Sequence, residues 1–218
     1  MKKLFLATFL FIVTLISCQK EISFETNATG GNSGNNNNGN NNGGTNTSLL
    51  GTWKFNGIQA STRVEMEADL GGMLMKTITI SSYNTKQNTG TYTLTSDKFT
   101  GTDVGYSIDT IMKAYTYMDG ILQDSIEAPM QMPMTIQSSS SSYKLIGADS
   151  IYFTNGSMTI NAGTGSQGMD AQPSGMKYKI IGNNLTFTFG YSKDTTIVQN
   201  ATNIKMKQRV TGSVKLSK

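Results

Sequence analysis

From Leu49 onward the chain runs in short stretches that alternate polar and apolar residues, with turn-forming residues between them. Thr77-Ile78-Thr79-Ile80 alternates, and so does Thr91-Tyr92-Thr93-Leu94-Thr95. Leu185, Phe187 and Phe189 share one side of their stretch, with threonines on the other. Alternation at period two is the signature of a strand with one packed face and one wet face, as in an antiparallel sheet. The turn chemistry agrees. Asp119-Gly120 is expected to end a long strand of about Ser107–Met118. Asn155-Gly156 is expected to join Ile151–Thr154 to Ser157–Ile160. Such pairs accept the positive φ angles of type I′ hairpin turns. Gly182-Asn183-Asn184 should turn Lys177–Ile181 into Leu185–Tyr191. The pattern predicts an all-β, antiparallel domain of about 8–10 strands over residues 49–218. Only Thr62–Met75 is ambiguous, with room for a short helix. Pro129, Pro133 and Pro173 fall beside expected loops or edges.

Two segments of other texture precede this domain. Residues 1–17 carry Lys2 and Lys3, then a nearly unbroken apolar run from Leu4 to Ile16, then Ser17. This is the layout of a secretory signal peptide, and the run is short of the about 20 residues that span a bilayer. Residues 18–48 hold the chain's one cysteine, Cys18, and from residue 26 are almost entirely Asn, Gly, Thr and Ser. Such a composition has no apolar area to offset ordering entropy, so a disordered linker is expected, with an end-to-end distance of about 25 Å.

Leu15-Ile16-Ser17-Cys18 resembles the bacterial lipobox. The resemblance implies cleavage before Cys18 and a diacylglycerol on its thiol. Several buried acyl chains, at about 0.8 kcal/mol per methylene, hold a protein to a membrane where one does not. Gln19-Lys20-Glu21 resembles the surface-export segment of Bacteroidetes lipoproteins. An outer-membrane lipoprotein is therefore expected, with cell-surface and periplasmic display both open.

Leu50-Gly51-Thr52-Trp53 opens the domain, and it resembles the Gly-x-Trp start of lipocalins and of the lipocalin-like domains of Bacteroidetes lipoproteins. Tyr178 through Phe187 resembles the late hairpin of those domains. The resemblance implies an up-and-down β-barrel whose base is closed by Gly51, Trp53 and a basic residue of the last strand stacked over the indole. Arg209 is the expected stacking partner, in a cation–π pair. It covers the two ends of the domain; residues 60–175 carry no motif that aligns.

Charge and chemistry narrow the function. The 18 basic residues exceed the 14 acidic ones by four, and Lys2 and Lys3 lie in the leader, so the exported part stands near +2. Nucleic-acid binding needs a clustered basic footprint and is not expected. There is no histidine, and lipidation uses the single cysteine. Ser-His-Asp and Cys-His catalysis and the usual zinc sites are thereby removed. No metal, no cofactor and no catalysis are expected.

Methionine is the unusual residue, at 13 in the chain. An extended Pro129–Met134 segment would place Met130, Met132 and Met134 on one side, and Met112 and Met118 recur on a strand in the same way. Flexible methionines suit an adaptable apolar interior. Together with Phe187 and Phe189 they are the expected lining for a small apolar ligand. Soft thioethers also suit Cu(I) or Ag(I), a reading that ranks below the apolar interior. The rival function is a filled barrel that serves as a surface or envelope interaction module, with Tyr115 and Tyr117 as the exposed patch. Thr110, Ser125, Ser150 and Thr195 each follow an aspartate. They resemble the Asp-Ser/Thr O-glycosylation acceptor of Bacteroidetes, and the same pairs also start turns before strands.

Overall fold

The computed structural model describes residues 49–154, 174–199 and 202–218. They form one antiparallel sheet of β1 (Gly51–Asp69), β2 (Leu74–Asn84), β3 (Lys86–Leu94), β4 (Lys98–Met118), β5 (Ile121–Ile146), β6 (Ser150–Phe153), β7 (Ser174–Ile181), β8 (Asn184–Gln199) and β9 (Thr202–Ser217). Neighbours in sequence are neighbours in space, except that β1 is flanked by both β2 and β3, and so is β4. β2 and β3 run in the same direction with only Thr85 between them, so the nine strands fill eight positions. Pairing of β1 with β9, from Lys54↔Ser217 up to Ala68↔Ile204, closes the ring. The architecture is an up-and-down barrel, as the alternation and the opening motif imply.

The ring has two tiers. At the base all eight positions are paired. β6 and β7 are short there: β5 meets β6 only over Tyr143–Ile146, and β8 meets β7 only over Asn184–Thr188. Above them six strands continue in the order β8-β9-β1-β2-β4-β5 as an extension. Among the described residues, β5 from 121 to 142 and β8 from 189 to 199 have no partner on their outer edges. Pro129 and Pro133 lie on that β5 edge, where a missing N–H breaks no ladder bond.

The tiers meet at a joint. Ile58 N–H donates to Thr85 Oγ1 at 2.8 Å, Thr85 N–H returns to Ile58 O at 2.9 Å, and Asn88 Nδ2 donates to Asn56 O at 2.9 Å. The register of β1 shifts here, at Asn56-Gly57. Gly57 has φ +136°, and a Cβ on it would lie 2.8 Å from Asn88 and 2.9 Å from Thr85, so any other residue would be strained and would push those side chains aside.

Thr62–Met75 is no helix: β1 runs through to Asp69 and β2 starts at Leu74. Val64, Met66 and Ala68 face inward in period two, and cross-strand pairing settles the ambiguity. The loop at Asn155-Gly156 and the strand Ser157–Ile160 lie outside the described residues. Both edges of Ser150–Phe153 are taken, by β5 and β7. Asp119-Gly120 does turn as expected, with φ of 49° and 80°. Cys18 and the linker also lie outside the described residues.

The base is filled by its own side chains. Trp53, Phe55, Phe153, Phe187, Leu94, Ile151, Leu185, Val214 and Leu216 are all fully buried. Tyr92 stacks on Phe99 with centroids 4.7 Å apart, and Phe99 meets Phe153 and Phe187 edge-on at 5.6 and 5.7 Å. Each such residue contributes about 1.5–3 kcal/mol by leaving water, and offset or edge-on ring pairs add about 0.5–1.5 kcal/mol.

Candidate functional site

The floor of the ring is sealed at its opening motif. Trp53 Nε1 donates to Leu49 O at 2.9 Å. The cation over the indole is Lys218, with Nζ 4.2 Å from the ring centroid and a 2.8 Å bond to Leu50 O. Arg209 is not the partner. It lies opposite Arg63 in the extension, on the outer face, where it bonds Ser192 and pairs with Asp194 at 3.8 Å. Trp53 belongs to the foot of β1, whose neighbours on β9 are the last residues, so register excludes Arg209. Gly51 stands at φ +116°, and a Cβ on it would lie 3.3 Å from Lys218 Nζ rather than against Trp53.

Above the filled base, the inner face of the extension forms a trough. Its walls follow from register. Met66 and Met206 stand opposite each other, as do Met75 and Met118. Met112 stands opposite Ala128, and Thr110 opposite Met130. Met132 stands opposite the buried Ile108, and with Met130 packs against the core. Ala68, Val64, Ile204, Ala114 and Ile126 continue the apolar surface, with Thr62, Thr77, Thr79 and Thr116 between them. Most of these side chains are half-buried: they touch one another and still meet solvent.

The sequence places most of this lining but not all. Met112, Met118, Met130 and Met132 face the trough. Met134 does not: it is 41% exposed, beside Gly105 and Ile136. Between Met132 and Thr135 β5 holds one residue more than β4 does, and this bulge turns Met134 to the outer face. Phe187 belongs to the packed base, and Phe189 lies over Gly212 at the trough's lower end. Met66, Met75 and Met206 were missed, because the stretch that holds the first two reads as ambiguous; the alternation Val64-Met66-Ala68 was the available signal. Tyr115 and Tyr117 lie on the opposite face from Met112 and Met118, half-buried beside Ile78 and Lys76.

Charge separates the two faces. The ion pairs Lys76–Glu65 at 2.9 Å, Arg63–Glu65 at 2.7 Å, Lys113–Glu127 at 2.6 Å and Lys205–Glu67 at 3.7 Å all sit on the outer face. Hydrogen bonds from Arg63 and then Lys76 hold the Glu65 carboxyl down at about 2. On the trough side, burial raises the Tyr191 hydroxyl, and Lys193 and Asp124 are the charged residues. Among the described residues no three of His, Cys, Asp and Glu gather. The outer face also has a polar hollow of about 640 Å³, lined by Gln59, Ser61, Ser82, Asn84, Lys86 and Asp109.

The acceptor residues are divided. Ser125 is exposed, and its N–H is bonded to the Asp124 carboxylate at 2.8 Å. Ser150 is half-buried, and its hydroxyl donates to Asp149 at 2.9 Å. Thr110 and Thr195 are half-buried, and Thr110 Oγ1 donates to Ser82 O at 2.8 Å.

No protein-family model matches this chain, and no curated protein or solved structure matches it at a significant level.

Proposed function

We propose that this chain is a non-catalytic, lipid-anchored protein of the outer membrane whose trough holds a small apolar ligand. One observation carries the reading: a continuous, nearly uncharged inner face of Met, Ala, Val, Ile and Thr lies half-exposed above a base that is already full. Flexible thioethers adapt to irregular apolar shapes, and interspersed hydroxyls can orient a polar end group. The base supplies rigidity and the trough supplies the site.

The test is native mass spectrometry of the protein purified from its own envelope, with the Met118→Lys variant alongside. A defined adduct on the wild type that is absent from the variant supports the reading; a clean apo mass in both sinks it. Anchoring is tested separately. Cys18→Ser is expected to lose the lipid mass and leave the membrane fraction.

A second reading has its own observation. Leu70, Met73, Leu74, Ile121 and Leu122, at the tips of the β1–β2 and β4–β5 turns, are 39–67% exposed. The two tips are joined by Leu74 N–H to Asp119 Oδ1 at 2.9 Å. A clustered apolar tip suits a protein partner. A clean apo mass together with a co-purifying subunit that is lost in Leu74→Asp would favour this interaction module.

A further inference from the structure

We propose that a soft monovalent metal ion, Cu(I) or Ag(I), binds among Met66, Met75, Met118 and Met206 on the inner face of the extension. These residues come from β1, β2, β4 and β9, four strands that lie side by side. Met206 is opposite Met66, and Met75 is opposite Met118. Thr77 faces Met66, and Met75 is two residues before Thr77, so Met66 and Met75 are diagonal neighbours. Opposed residues hold their Cβ atoms about 4.5–5.5 Å apart and diagonal ones about 7–8 Å. Methionine's three rotatable bonds cover that difference. Ala68 stands between Ile204 and Met75 in the next row, and its small side chain leaves room for sulfurs to meet above it.

The surroundings favour a soft ion. Met66 is 6% exposed, and Met206 packs against it half-buried. The charged residues of the same strands, Glu65, Glu67, Lys76, Lys205 and Lys207, alternate to the outer face. The ion would therefore meet neutral thioethers and threonine hydroxyls; the carboxylate of the inner face, Asp124, stands opposite Thr116 on β5, one strand beyond the four that carry the methionines. Such a donor set suits Cu(I) or Ag(I) and offers little to Zn(II), Cu(II) or Ca(II). Thioethers do not titrate, so binding should not vary between about pH 5 and pH 8. An apolar floor alone would be served as well by leucine, so the distinguishing property is the sulfur.

The experiment titrates the full chain with Ag(I), reads stoichiometry by native mass spectrometry, and repeats the titration anaerobically with Cu(I) against a competing chelator. One retained ion per chain is expected, with no retained Zn(II). Met66→Leu/Met75→Leu conserves volume and apolarity, and it should weaken retention by at least about 100-fold while leaving the circular dichroism spectrum unchanged. Met134→Leu, on the outer face, should change nothing. If the double variant fails to fold by circular dichroism, Met118→Leu alone should still weaken retention by at least about tenfold. No retained Ag(I) on the wild type overturns the site, and so does retention that survives these substitutions or is shared equally by Zn(II).

Discussion

The base and the extension are built from the same strands and differ in how those strands are covered. In the base, β1 offers Trp53 and Phe55 to a ring closed on all sides, and both are at most 1% exposed. A dozen residues later the same strand offers Val64 and Met66 to a face that opens where β6 and β7 end. The lower half spends its apolar surface on itself, and the upper half keeps part of its surface for something else. A packed core and a half-exposed apolar face are thus separated along the strand axis, with the Gly57–Thr85–Asn88 joint between them.

Truncating one residue in each tier should cost very different amounts. Phe99→Ala removes a ring that touches three others and should cost about 3–5 kcal/mol in urea unfolding. Met112→Ala, half-exposed in the trough, should cost less than about 2 kcal/mol. Equal costs would mean that the extension is core as well. Next comes the joint: Gly57→Ala forces a side chain into φ +136° against Asn88 and Thr85 and should cost about 1–3 kcal/mol. Its hydrogen-exchange signature is expected at residues 56–60 and 83–88, with the extension opening before the base. Lys218→Ala removes the cation over Trp53 and should cost about 0.5–1 kcal/mol with a change in indole fluorescence. Arg209→Ala breaks only exposed contacts, with Ser192 and Asp194, and should leave that fluorescence unchanged.

The smallest effect is electrostatic. Glu65 is held at about 2 in the folded chain, below its ordinary 4.5. The stability it contributes is present above pH 4.5 and is lost as pH falls from there toward 2. Glu65→Gln should flatten that part of the acid unfolding curve and lower stability slightly at pH 7. An acid limb of unchanged slope would show that Arg63 and Lys76 do not hold the carboxylate.

Much of the fold was legible because alternation is local. Tyr92 and Leu94, Leu185 and Phe187, and the Asp119-Gly120 turn follow from their immediate neighbours. What was not legible depends on register, which no local pattern carries. Thr77-Ile78-Thr79-Ile80 shows the limit. The alternation is real, yet pairing with Met66 and Val64 turns the threonines inward and the isoleucines outward beside Tyr115 and Lys113. A shift of one residue reverses which face a side chain meets. The same cause moved Met134 outside, and it gave Lys218 the place over Trp53 expected of Arg209. Of the trough, the methionines of β4 and β5 were visible as a compositional oddity. Their partners on β1, β2 and β9 emerged only when strands distant in sequence were laid side by side.

The seam between β1 and β9 sets a timetable. It joins Asn56 to Ser217 across 161 residues and Leu50 to Lys218 across 168. A contact that distant in sequence must wait for nearly everything between to be made and brought into place, and domains dominated by such pairings fold in milliseconds to seconds. Until β9 arrives, β1 has one bare edge and Trp53 has no lid. The most fully buried part of the finished molecule is therefore also the part whose closure depends on the pairing most distant in sequence. The hairpins above it, β1–β2 and β4–β5, can form early from their own turns and wait, as a half-built wall, for the closing strand.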